Sequence, residues 1–447
     1  MQKERIIFHT LYGSLLGCFF LGTLLIYQSN PIILNVKYLM FLMIIIYYSI
    51  SMKQDKSKKV HIFKVILILL FGYTIPTLIN LFISGDIQIL FNILLTCMYI
   101  YFLFITTKVL DEFNYFHELI KVFWVSLLVF ICLVVFINGL NLLNITNIQA
   151  AFNLEERSRQ TYGLRHPNTL GNLCFIFNVL TIYKVTYLKT TKLKTCIDLG
   201  VMALVIMIML TSGSRTALSA SLLFLILFVL NRVIFFRSQI VNRISILFTV
   251  LILIVTLLVS LNYIKGLDYK ELLSNTNRFY NWIYTLDYLK FHHMNPFTGL
   301  GYYNMSYFYN VMEFSAKLMT DNWYILTYIT VGYIGLFIFS IVLLMIVRNL
   351  VMFQDKYKDP QFSFFVSLLV VCMYYSIFEV MLFVPSELLS LLLWTSILYN
   401  FERISNLLSN KEQLSIDRSL LKTTRTRTGE LLGQGYSAVT TNQHSKL

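Results

Sequence analysis

Runs of about twenty apolar residues follow one another along most of the chain, separated by short polar breaks. Each run is long enough to cross roughly 30 Å of hydrocarbon as a helix. A bilayer interior offers no partner to open backbone groups, so spans of this kind are helical. The alternating ten-residue segments of a membrane β-barrel are missing from the pattern. The pattern therefore predicts an all-α polytopic membrane bundle with about twelve transmembrane helices. They fall near 10–27, 32–50, 62–83, 87–105, 120–138, 169–188, 196–211, 215–230, 244–262, 322–347, 361–382 and 386–400.

Composition agrees: 57% of residues are apolar and only 13% are charged, against roughly a quarter charged in a soluble domain. The net charge of +14 is no nucleic-acid signature, because no compact basic domain with interleaved aromatics stands out. It reads as topology. Lys53, Lys56, Lys58, Lys59 and Lys64 share one loop, and further basic groups lie at 108–121, 184–194, 232–243 and 348–358. These alternate loops and the N-terminus would face the cytoplasm. The organisation expected is five spans over 1–138, an outer loop at 139–168 and four spans over 169–262. A large, partly helical outer subdomain at 263–321, three spans over 322–400 and a basic cytoplasmic tail at 401–447 follow. Both outer loops exceed what a connector needs, which favours a functional role. The six cysteines lie in or beside spans at no metal-ligand spacing, so neither a disulfide framework nor zinc is expected.

The candidate chemistry is on the outer side. Arg157, Arg159, Arg165, Arg215 and Arg278 stand where topology disfavours cations. Guanidinium binds phosphate bidentately and stays charged when half buried. Arg215 opens a helix after Thr211-Ser212-Gly213-Ser214, where the macrodipole opposes a cation and favours an anion. It is either an anion ligand or a side chain reaching for headgroups. Arg278 begins an amphipathic stretch through Phe279, Trp282 and Ile283; it is either an anion ligand or a solvated helix start. Arg165 and His166 precede Pro167 and Asn168, which suit a helix start on structural grounds alone. Arg157 and Arg159 have Glu155 and Glu156 as neighbours to pair with. Asp321 is either a helix cap or a carboxylate that takes a proton from a sugar hydroxyl. His292 and His293 are further bases, ordinary as loop histidines go. Pro296-Phe297-Thr298-Gly299-Leu300-Gly301 reads as a turn that brings backbone close to something. Glu379 and Glu387 read as members of the last outer turn.

These motifs, in this order, resemble the O-antigen polymerase and ligase superfamily. The chain looks most like its Wzy-type capsular or exopolysaccharide polymerases from Gram-positive bacteria. The stretches concerned are Gly163 to Gly171, Ser212 to Ala217, Arg278 to Trp282, Pro296 to Gly301, and Asp321-Asn322-Trp323-Tyr324 running on to Gly335. The resemblance implies a glycosyltransferase of the cell membrane with its site facing outside. Its donor would be a polyprenyl-pyrophosphate-linked oligosaccharide, passed to a hydroxyl of a second lipid-linked repeat unit, inverting and without a metal or other cofactor. It implies that Arg215 and Arg278 hold the pyrophosphate; Arg165, Arg157 and Arg159 are the further candidate ligands. Asp321, where ligase relatives carry a histidine, is the first candidate for the catalytic base and His166 the second. Membrane lipids, a flippase and a chain-length regulator are the partners it implies; nucleic acid is not among them. A ligase serving a different acceptor, a lipid-linked oligosaccharide flippase or transporter, and a non-enzymatic scaffold of the assembly machinery are the competing readings.

Overall fold

The computed structural model describes residues 2–27, 30–52, 62–137, 161–188, 190–233, 282–283, 285–286, 294–301, 321–357, 360–385 and 387–406. The chain divides into two units, 1–401 and 402–447. The described residues of the second, 402–406, are helical. The expected span at 244–262 and the tail beyond 406 lie outside the described residues.

The first unit is all-α. Its helices are α1 (Gln2–Thr23), α2 (Pro31–Ser51), α3 (Ile62–Ser84), α4 (Ile87–Phe113), α5 (Phe116–Ile137), α6 (Pro167–Tyr187), α7 (Lys192–Thr211), α8 (Arg215–Val233), α9 (Trp323–Tyr357), α10 (Pro360–Tyr375) and α11 (388–401). Among the described residues, eight helices are long and apolar enough to cross a membrane, with shorter apolar helices at Arg215–Leu230 and Ser363–Tyr375. Local chemistry sets their starts. Asn30 accepts hydrogen bonds from the amides of Ile32 and Ile33, and Pro31 follows in the first turn. Asp86 caps α4 through the amide of Gln88 after Gly85 turns the chain at φ 67°.

The run expected as one straight span at 322–347 is not straight. Gly332 has φ 63° and ψ −162°, and α9 breaks there into limbs 323–331 and 333–357. In an unbroken helix Trp323 and Phe339 would be roughly 24 Å apart along the axis. Their ring centroids are 4.6 Å apart, so the first limb folds back along the second. Such a break frees backbone groups that lipid cannot satisfy. The 294–301 turn takes them up. The amides of Leu300 and Gly301 donate to the carbonyls of Ile329 and Thr330 at 2.7 and 2.8 Å, and the amide of Tyr333 donates to the Pro296 carbonyl at 2.9 Å. Asn80 of α3 pins the turn, donating to the Thr298 carbonyl at 2.7 Å and accepting from the Thr298 hydroxyl at 3.0 Å. A Cβ on Gly332 would lie 2.3 Å from the Phe297 carbonyl, and one on Gly299 2.5 Å from the Ile329 oxygen. This close approach is what the glycine-rich turn permits.

The run expected at 361–382 also differs. Helix α10 ends at Tyr375, and 376–385 is irregular although rich in apolar side chains. Non-helical backbone is tolerated at membrane depth when protein surrounds it. Here Phe383 packs against Tyr73 of α3, Tyr99 of α4, Phe339 of α9 and Trp394 of α11. The Phe383 carbonyl accepts from the Trp323 indole at 3.1 Å and the Leu382 carbonyl from the Trp394 indole at 2.6 Å. The irregular segment is thus the hub on which the helices converge.

At the far end of α6, Lys184 pairs with Asp198 of α7 at 2.8 Å, its ammonium 3.4 Å from the Trp124 ring centroid. Asp198 is buried.

Candidate functional site

Three helices begin around the irregular segment. At the start of α6, Pro167 occupies the first turn and His166 caps it, its Nδ1 accepting from the Asn168 amide at 3.1 Å. An Nδ1 that accepts leaves the proton of a neutral imidazole on Nε2, so His166 presents a donor at its exposed edge. One residue on, the Asn168 amide group donates to Glu379 Oε1 at 2.6 Å. The start of α8 meets the same oxygen: Thr216 Oγ1 lies 3.5 Å from Glu379 Oε1. Helices α6 and α8 come this close because Gly171 has no side chain; a Cβ there would lie 2.5 Å from that of Ser214. The start of α9 completes the ring, with the Trp323 amide donating to the Ser376 carbonyl at 2.9 Å.

Sequence reasoning left Asp321 between a cap and a functional carboxylate. The cap of α9 is Asn322, whose Oδ1 accepts from the amides of Tyr324 and Ile325 at 2.9 and 3.1 Å. Asp321 stands just ahead of it, half-buried.

Arg165, His166, Arg215 and Asp321 are therefore gathered at one end of the bundle, with both arginines and His166 exposed. Arg278, Arg157, Arg159, His292 and His293 lie outside the described residues. Trp282, four positions after Arg278, packs with Leu286, Ile325, Tyr328, Ile329 and Leu336, and its ring lies 6.5 Å from that of Phe378. Beneath the exposed cations, Ser214 Oγ, Asn172 Oδ1 and Ser376 Oγ are buried and without hydrogen-bond partners among the described residues. Three helix N-termini and two guanidinium groups meet at this end of the bundle, and the Glu379 carboxylate faces the starts of α6 and α8.

Two acidic residues matter more than the sequence suggested. Glu379 is buried, 8% exposed, and ties α6 to α8. Glu387, in the turn before α11, is half-buried, and burial pushes its carboxyl up to about 7 against the opposing pull of Lys37 and Arg165. Lys37 was hidden inside the apolar run of α2, and Glu379, read as a member of the last outer turn, also falls within the run expected at 361–382. A charge within a membrane-depth run is the signal that would have singled them out.

A family model described as O-antigen ligase matches residues 200–340, about a third of the chain. The matched stretch contains Arg215, Arg278 and Asp321, and leaves Arg165, Glu379 and Glu387 outside. It supports the O-antigen ligase and polymerase superfamily, and with it a membrane glycan ligase or polymerase type of function. A comparison with curated proteins gives no match.

Proposed function

We propose that the chain is a polysaccharide polymerase. It would transfer a glycan from a polyprenyl-pyrophosphate carrier to a hydroxyl of another lipid-linked repeat unit at the outer leaflet. The observation that carries this reading is the convergence of the α6, α8 and α9 N-termini, with Arg165 and Arg215, around a segment closed off by protein.

A diphosphate is already a good leaving group and needs charge stabilisation more than an acid. Arg215, Arg278 and Arg165, with Arg157 and Arg159 as further ligands, would hold it where water is partly excluded. Asp321 would take the proton of the acceptor hydroxyl. The freed oxygen then bonds to the anomeric carbon as the bond from that carbon to phosphate oxygen breaks, and the electron pair leaves with the diphosphate. Direct displacement inverts the anomeric centre. His166, in the tautomer presenting Nε2–H, would donate a hydrogen bond to the departing oxygen; as the alternative base it would have to give up the cap contact at Nδ1 or carry its proton there. Both chain termini would be cytoplasmic, and a flippase and a chain-length regulator would act beside it.

Ligation to a different acceptor is the second reading, favoured by the description of the matching family model. The test is the purified protein in lipid bilayers with a lipid-linked repeat unit as sole substrate. Polymer ladders support the polymerase. Transfer that appears only when another acceptor is added supports the ligase. No transfer under either condition, with the protein folded, rejects both.

A further inference from the structure

Lys37 lies nearly two turns into the spanning helix α2 and is half-buried. A cation at such depth is costly and marks a functional path more often than not. Its ammonium is 5.6 Å from the Phe19 ring centroid of α1 and 5.5 Å from that of Tyr38. Contacts on either side fix what it faces. One turn along, Phe41 packs on Tyr99 at 5.8 Å, and the Tyr99 hydroxyl is 3.1 Å from Ser390 Oγ, one turn past Glu387. Above Phe19, the end of α1 is stitched to the loop preceding α6. The Leu25 amide donates to the Gly163 carbonyl at 2.9 Å and the Arg165 amide to the Thr23 carbonyl at 3.0 Å. Lys37 and Tyr38 from α2, Arg165 from that loop and Glu387 from the turn before α11 therefore share one place and interact electrostatically. Among the described residues, neither cation has a carboxylate within ion-pair distance. Glu387 is near enough to weaken their field and too far to neutralise either.

We infer that Lys37, beside Arg165, extends the diphosphate site of a lipid-linked substrate into a further cationic subsite, and that the ionised Glu387 opposes its occupancy. The inference rests on the reading of the neighbouring end of the bundle as a lipid-diphosphate site. Ionising Glu387 removes one unit of positive charge from the subsite's net charge, and protonating it restores that unit. Its carboxyl is pushed up to about 7. Below that pH it is protonated and anions bind more tightly; above it they bind more weakly. Reciprocally, a bound diphosphate favours the protonated carboxyl.

The experiment is binding of polyprenyl pyrophosphate, with inorganic pyrophosphate as the soluble probe, to the full chain in phosphatidylcholine nanodiscs. Because diphosphate itself titrates, the informative quantity is the difference between wild type and Glu387→Gln. At about pH 8, Glu387→Gln should bind about tenfold more tightly than wild type, and the two should converge at about pH 6. Lys37→Met should weaken binding about tenfold, and Lys37→Arg should restore it. Equal affinity of Glu387→Gln and wild type at about pH 8, or of Lys37→Met and wild type, overturns the inference. So does loss of probe binding when phosphatidylglycerol is added to the discs, since the subsite would then serve lipid headgroups. Arg215→Ala separates the two levels. If it also leaves binding unchanged, the functional reading itself fails; if it alone abolishes binding, only the second subsite does.

Discussion

The Asn168 side chain donates to Glu379 across 2.6 Å, joining the start of α6 to the irregular segment ahead of α11. A hydrogen bond to a buried carboxylate is worth about 1.5–3 kcal/mol. Asn168→Ala should lower stability by about that much, and Asn168→Asp, which sets two carboxylates together, by more. Thermal unfolding in a fixed detergent reads both. Glycan transfer should fall further than stability, because the same bond holds the N-terminus that follows Arg165 and His166.

Gly332 is the least replaceable backbone position described. Gly332→Ala meets the Phe297 carbonyl at 2.3 Å and keeps a positive φ, so folding yield should collapse, with a penalty of at least about 3 kcal/mol. Gly200, helical and with open space around its Cβ position, is the control: Gly200→Ala should leave yield and melting temperature unchanged or slightly raised.

Arg215→Lys keeps a charge and loses the planar fork. If the guanidinium stabilises the departing diphosphate, turnover should fall by about a hundredfold, with insertion and melting temperature near wild type. Wild-type polymer ladders from Arg215→Ala would remove this residue from the site.

Asp321→Asn separates base from cap. Asn322, not Asp321, caps α9, so the cap is kept in this variant and melting temperature is read beside turnover. Turnover should fall by about a hundredfold or more if Asp321 takes the proton. Full turnover would leave Asp321 without a chemical role.

Lys184 and Asp198 make a pair 2.8 Å apart with Asp198 buried. Asp198→Leu or Lys184→Leu alone should cost about 3–5 kcal/mol by stranding the partner charge. The double substitution should recover most of that loss, which a double-mutant cycle of melting temperatures would measure.

Most helices were legible because apolar runs mark them directly. Two features were not. The reversal at Gly332 was hidden because the chain is apolar on both sides of it, and hydropathy carries no record of direction. The end of α10 at Tyr375 was hidden because Ile377, Phe378, Met381, Leu382 and Phe383 continue the apolar run into a segment that protein, not lipid, surrounds. At the candidate site, Arg165 and Arg215 were legible as charges opposed to topology. Glu379 was read only as a member of the last outer turn, and Lys37 sits in a stretch read as uniformly apolar. Their significance arises only when α2, α6, α8 and the turn before α11 are brought together.

The knot of backbone bonds at Gly332 has a mechanical corollary. The 294–301 turn and the short limb 323–331 are coupled without intervening side chains, so a shift in one is a shift in the other. Asp321 immediately precedes that limb, while Arg165 lies just ahead of α6 and Arg215 opens α8. Trp323, hydrogen-bonded to the Ser376 and Phe383 carbonyls, fastens the limb to the irregular segment, so strain applied at the turn is felt at the start of α9 and beside α6 and α8 together.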